Sequence, residues 1–311
     1  MCHHLGGFAH TPNAELMMLK MINNRKILLQ GIHEPLAQTI IAPMRGYGTE
    51  VVAGVSVGHG GTRLAEIPVF DLVEQAIAAV GQIDTSVVCV PPDQVADAAL
   101  EAIAAGIRQL VLMPHHVPPL DTLTLINRAK ATGTVILGAG SAGLIVPDQF
   151  LLGSLDPQCY SAGSVGIIDR TNRIGDAIAW ELTQAGIGQS VAVHLGTGTI
   201  LGTTFPDWLN LFAHNEDTQA VVLLEQHLLG NKAAATVIPP DFPKPIIAYV
   251  AGQHLPFQAP ISDASTSIAV QKVHPLPHTS TATEKVAAYK AAKIRVATTP
   301  KQLADWLQEV L

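Results

Sequence analysis

Residues 51–70, VVAGVSVGHGGTRLAEIPVF, constrain the fold more than any other stretch of the chain. They open with a β-branched apolar run, the composition of a strand buried on both faces of a parallel sheet. The run breaks at Gly58-His59-Gly60-Gly61, where absent Cβ atoms let the backbone turn sharply and present its N–H groups. A second apolar segment, Ile67-Pro68-Val69-Phe70, follows, and then a helical run from Asp71. A glycine loop at the carboxyl end of a buried parallel strand is where open α/β sheets hold ligands. His59, with Arg63 nearby, gives this loop side chains that suit a phosphate. The same glycines also serve an ordinary tight turn, so the surroundings decide between the two readings.

Those surroundings alternate. Strand patterns at 26–31, 86–90, 109–113 and 135–137 are separated by helical patterns at 35–47, 71–80, 93–105 and 122–131. Short strands alternating with helices predict a right-handed, doubly wound parallel sheet. The break rich in glycine from Gly138 to Gly143, followed by Val146-Pro147-Asp148, reads as a junction, with residues 144–163 as a linker holding a short hairpin. From 164 the alternation restarts: strands at 165–168, 190–194, 220–224, 245–250 and 295–297, helices at 172–185, 205–213, 231–236, 283–292 and 300–311. A chain of 311 residues should hold two such domains, because single cores stop growing near ~250 residues. The expected fold class is α/β, with domains at 24–143 and 164–311.

Composition narrows the function classes. With 48% apolar and 14% charged residues, the chain has ample core and is not a disordered one. Its net charge of −7 argues against a nucleic-acid partner, which demands a clustered basic face. No apolar run approaches the ~20 residues that span a bilayer, so no membrane span is expected. Cys2, Cys89 and Cys159 make neither a disulfide framework nor a zinc site, Cys89 reads as a small core residue, and a reducing cytoplasm fits best. Residues 1–23 carry no period and no signal-peptide pattern; they read as a flexible leader, or as a start assigned too early, with Met21 the true beginning.

Several local motifs together resemble one family. They are Tyr47-Gly48-Thr49, Gly54-Val55 through Gly60-Gly61-Thr62, Pro68-Val69-Phe70, Leu100-Glu101-Ala102-Ile103, Gly166-Ile167, and Tyr249-Val250-Ala251-Gly252. In this set the chain resembles the alpha subunit of succinyl-CoA ligase (nucleoside-diphosphate-forming) and its acyl-CoA ligase relatives. The resemblance implies a Rossmann-like CoA-binding domain followed by a flavodoxin-like ligase domain. It further implies coenzyme A as ligand, an ATP-grasp beta subunit carrying the nucleotide as partner, and a histidine that carries phosphate; a homo-oligomer is the alternative assembly.

Carried over residue by residue, the resemblance is uneven. The family's first glycine loop is here Ile32-His33-Glu34-Pro35-Leu36-Ala37, in which Pro35 removes a donor and Glu34 repels phosphate. The second loop survives as Gly58, His59, Gly60 and Gly61, with His59 in place of a lysine. Val90 and Pro91 keep a wall of the same pocket, and His115 replaces an acid at the end of the fourth strand. The helix N-terminus beneath the phosphate corresponds to Arg170, Thr171 and Asn172, into which Asp169 brings a carboxylate. The family's Gly-Gly-Asp is here Gly196-Thr197-Gly198. The glutamate that orients the histidine corresponds to Gln226, with Glu225 on the opposite face if the strand persists. The phosphohistidine position falls on Asp263, or on Val270 counted from the other side, with His274 and His278 as the nearest histidines. Two readings stay open: a divergent CoA-ligase alpha subunit, and a catalytically degenerate binder of CoA, of another phosphorylated ligand, or of a partner subunit. The aromatic run from Phe205 to Phe212 is expected either at an interface or in ordinary core.

Overall fold

The computed structural model describes residues 26–227, 229, 234–253 and 281–311. The first sheet is built from β1 (Lys26–Gln30), β2 (Glu50–Val55), β3 (Arg63–Leu64), β4 (Ile67–Phe70), β5 (Thr85–Val88), β6 (Gln109–Leu112) and β7 (Val135–Leu137). Its strand order is β3-β4-β2-β1-β5-β6-β7, parallel throughout except for the β3–β4 hairpin. This is the dinucleotide-fold order, and the direction of winding reverses between β1 and β5. Four helices connect the strands: α1 (Pro35–Gly46), α2 (Val73–Val80), α3 (Val95–Ala104) and α4 (Pro119–Thr132). In α1 the buried residues Ala37, Ile40, Ile41 and Met44 recur at helical spacing, and a proline in its first turn gives up a donor no helix would use. The helix expected from Asp71 begins at Val73 instead, leaving Asp71 free to serve the preceding loop.

The second sheet comprises β8 (Gly143–Val146), β9 (Phe150–Gly153), β10 (Ala162–Arg170), β11 (Gln189–His194), β12 (Ala220–Gln226), β13 (Ile246–Ala251) and β14 (Arg295–Ala297). Its order is β14-β13-β12-β10-β11-β8-β9. The five strands from β10 onward are parallel in the flavodoxin order, with the switch point between β10 and β12. The hairpin expected within 144–163 is β8–β9, and it pairs antiparallel along β11 as the sheet edge. The helices are α5 (Gly175–Gln184), α6 (Phe205–His214), α7 (Ala282–Ala291) and α8 (Pro300–Gln308).

One face of the first sheet, through Ile27, Leu29, Val87 and Val111, belongs to a core continuous with that of the second. Polar ties at the junction fix the two sheets to each other. The Thr49 hydroxyl donates to the Leu151 carbonyl at 2.5 Å and accepts the Leu151 N–H at 3.1 Å, while the Asp148 N–H donates to the Tyr47 hydroxyl at 3.0 Å. Between them Gly48 (φ +92°) admits the Gln149 carbonyl, 2.7 Å from where a Cβ would stand. The Tyr47-Gly48-Thr49 motif is therefore a domain tie. The aromatic run on α6 is core as well: Phe205, Trp208, Leu209, Leu211 and Phe212 are all buried, which removes the interface alternative for that helix.

A candidate site in the cleft between the two sheets

The reversal point of the first sheet faces the carboxyl ends of β10 and β11 across a cleft of about 450 Å³. Its first wall comes from the ends of β1, β5 and β6, through Glu34, Val90, Pro91 and His115. Its second comes from the ends of β10 and β11, through Asp169, Asn172, Arg173 and His194, with Asp176 from α5. Open α/β sheets bind ligands at such a reversal point, and here strand ends of the second sheet close over it.

The sequence-expected residues fall into three groups. Val90, Pro91 and His115 line the cleft. His115 Nδ1 lies 2.8 Å from the Thr197 hydroxyl, so the replaced acid position reaches across to the second domain. Gly140 (φ +71°) makes that meeting possible, since a Cβ there would stand 2.6 Å from Thr197 Oγ1. Loss of surrounding water, followed by the nearby His194, His116 and Arg173, lowers the His115 pKa.

The second group is the glycine loop. The Gly58 and Gly60 N–H groups, in an exposed loop, both donate to one carboxylate oxygen, Asp71 Oδ1, at 2.6 and 3.1 Å. The Gly61 N–H goes to the Val69 carbonyl at 3.0 Å. The His59 ring turns to stack on His33, with centroids 4.2 Å apart, bridging the first and second loops. Arg63 folds onto Glu66, bonding its carbonyl, rather than reaching the loop.

The third group lies at the entry to α5, and here the expectation needs correction. Arg170 is the last residue of β10, Thr171 and Asn172 occupy a turn, and the helix starts only at Gly175. Arg173 takes a left-handed backbone (φ +67°), which holds the turn open before the helix. Within this turn the Thr171 N–H donates to Asp169 Oδ1 at 2.8 Å, and the Asn172 N–H donates to Gln226 Oε1 at 2.7 Å. The Ile174 N–H is taken by the Thr171 hydroxyl at 3.2 Å. Gly175 packs against the Asp169 carboxylate so closely that a Cβ would collide with it. Burial pushes the Asp169 carboxyl up to about 6, against the opposing pull of His194 and of the bonds from Thr171.

β12 does persist through residue 226, so Gln226 and Glu225 point to opposite faces. Gln226 serves the α5 turn, while Glu225 is buried, ion-paired with Lys285 Nζ at 3.1 Å and accepting from the Tyr289 hydroxyl at 2.6 Å. Asp263, Val270, His274 and His278 lie outside the described residues, as does the whole stretch 1–23.

Sequence reasoning missed His194. It ends β11 and is buried, its Nδ1 accepts the Ala142 N–H at 3.0 Å, and the proton on Nε2 bonds the Thr171 carbonyl at 2.7 Å. It thereby ties the interdomain loop to the α5 turn. The only signal was a histidine closing an otherwise apolar strand just before Gly196. Asp176, also unforeseen, accepts from the Tyr160 hydroxyl at 2.8 Å, and burial raises its pKa. Cys89 is a core thiol beside Met113, its sulfurs 3.8 Å apart, and burial pushes it up to about 12. Among the described residues no group of three or more His, Cys, Asp or Glu could hold a metal ion, and no helix is long and apolar enough to cross a membrane.

Comparison with known proteins agrees with this architecture. Residues 22–116 match the family described as CoA binding domain. The first sheet's switch point, carried on such a domain and facing strand ends of a flavodoxin-ordered second sheet, defines a two-domain α/β protein of the CoA-ligase architecture. The chain is 34% identical over 286 residues to the succinate–CoA ligase (ADP-forming) subunit alpha 2 of Archaeoglobus fulgidus, covering 92% of this chain and 97% of that one. It is 31% identical over 289 residues to subunit alpha of the Staphylococcus aureus enzyme, covering 92% of each. The chain belongs to the family of succinate–CoA ligase alpha subunits. Among solved structures it shares its fold with the dinucleotide forming acetyl-coenzyme A synthetase 1 of Ca. Korarchaeum cryptofilum (TM-score 0.71, 18% identity, 94% of this chain and 62% of that one). It likewise resembles Methanosaeta concilii ATP citrate lyase in complex with (3S)-citryl-CoA (TM-score 0.73, 14% identity, 93% of this chain). The chain spans 62% and 50% of the lengths of those two solved chains.

Proposed function

We propose that this chain is a divergent alpha-type subunit that binds coenzyme A in the cleft between its two sheets and does not hold a phosphoryl group at the entry to α5. The nucleotide site belongs to an ATP-grasp beta subunit, and the pair works in a reducing cytoplasm. The observation that carries the reading is the Asp169 carboxylate seated on the Thr171 N–H, where an anion would otherwise be bound. Backbone amides ahead of a helix favour phosphate only while they are unpaired, and two of these are paired internally. A phosphate brought to about 4 Å from that carboxylate would meet a repulsion of roughly 4 kcal/mol at an effective dielectric near 20. Gly58, His59, Gly60 and Gly61, with Val90, Pro91 and His115, are the residues assigned to coenzyme A. Arg170, Thr171 and Asn172 form the vestigial phosphate turn, Gln226 stands in for the orienting glutamate, and Asp263 occupies the carrier position.

Because Asp71 occupies the Gly58 and Gly60 amides and the first loop has lost its glycines, coenzyme A binding should be weak. Calorimetric titration tests this. A His59→Asp variant should bind coenzyme A at least fivefold more weakly, a difference of about 1 kcal/mol. Tight binding that ignores this substitution would remove the glycine loop from the site.

A further inference from the structure

We propose that the cleft selects an acyl group without charge over one bearing a carboxylate, and that Asp169 is the residue that sets the preference. This rests on the coenzyme A reading above and names the acyl class that the cleft would accept beside the coenzyme. Three of the four charged residues lining the cleft are acids, Glu34, Asp169 and Asp176, against the single guanidinium of Arg173. Five of the backbone amides bordering it are already paired. Thr171 and Asn172 donate to Asp169 and Gln226, Ala142 to His194 Nδ1 at 3.0 Å, Gly140 to the Pro114 carbonyl at 2.9 Å, and Ser141 to the Leu112 carbonyl at 3.1 Å. His194 directs neither ring nitrogen to a ligand, since Nδ1 accepts from Ala142 and Nε2 bonds Thr171. A carboxylate entering this space would lose its water, meet like charges, and find these donors taken. A short neutral acyl group meets none of those costs, and apolar lining from Leu36, Val90, Met113 and Leu155 suits it.

Asp169 decides the matter because it is both buried, at 4% exposure, and a wall of the cleft, so solvent screens its charge least. The test compares two ligands that differ only in one carboxylate, S-propionylpantetheine and S-succinylpantetheine, titrated calorimetrically against the full chain at pH 7.5. The propionyl compound should bind at least tenfold more tightly. Asp169→Ala should narrow the gap to less than threefold by improving the succinyl compound. Asp169→Asn, which keeps the shape and the acceptor oxygen and removes only the charge, should narrow it in the same direction. Equal or tighter succinyl binding in the unaltered chain, as capture by Arg173 would give, overturns the inference and leaves the coenzyme A reading standing. So does a preference unchanged in Asp169→Asn. Failure of both compounds to bind overturns the coenzyme A reading itself, and the acyl preference with it.

Discussion

Asp169 Oδ1 accepts the Thr171 N–H at 2.8 Å, two residues along the same turn, and the same device recurs where Asp71 Oδ1 accepts the N–H groups of Gly58 and Gly60. In both loops the chain supplies its own carboxylate to backbone amides. The loops keep the backbone shape of anion sites and lose the vacancy.

The raised Asp169 pKa links this contact to stability. In the unfolded chain the group titrates near the ordinary ~3.9, and in the folded protein near about 6. Between those values the folded state binds the extra proton, so stability falls as pH rises from about 4 to about 6 and stays reduced above. A shift of that size corresponds to about 3 kcal/mol for a group this buried. Denaturant titrations should show Asp169→Asn gaining stability over the unaltered chain at pH 7.5, with the gain shrinking by pH 4.5. A constant difference between the two proteins would exclude Asp169 as the source.

His194 joins the half-buried Ala142 amide to the carbonyl of buried Thr171 beside the cleft. His194→Ala leaves one donor and one acceptor unpaired, at an expected cost of about 3 kcal/mol. Chemical denaturation measures it. A loss below about 1 kcal/mol would mean that water or a shifted loop replaces both bonds.

Lys285 is fully buried, paired with Glu225 and bonded to the carbonyls of Gln226 at 2.9 Å and Leu229 at 2.6 Å. Removing only the ammonium leaves Glu225 charged in the interior, so Lys285→Met should cost about 3–5 kcal/mol. Adding Glu225→Gln should recover part of that loss, because the remaining partners, Tyr289 and the Ala234 N–H, can still donate to an amide oxygen. Equal stability of the single and double variants would contradict the buried pairing.

Much of this was legible in the sequence for identifiable reasons. The β-branched runs ending in Gly31, Gly58 and Pro91 mark strand ends, because few other residues let a buried strand turn so abruptly. The division of labour between Glu225 and Gln226 follows from the two-residue period of a strand. The start of α5 was misplaced because Thr171 and Asn172 look like capping residues, and nothing marks Arg173 as left-handed when it is not glycine. His194 escaped notice because its partners lie 52 and 23 residues away, a relationship no local pattern encodes. On α6 the aromatic run suggested an interface because sequence does not distinguish a helix buried in its own domain from one covered by a partner.

The central claim is that the turn before α5 is closed to phosphate. Incubating the full chain with an ATP-grasp beta subunit and γ-labelled ATP tests it most directly. The expected result is no acid-labile label on this chain, since the proposed carrier position falls on Asp263 or Val270 and the turn holds Asp169. Acid-labile label on the unaltered chain that disappears in His274→Ala or His278→Ala would show a relocated phosphohistidine and contradict the account.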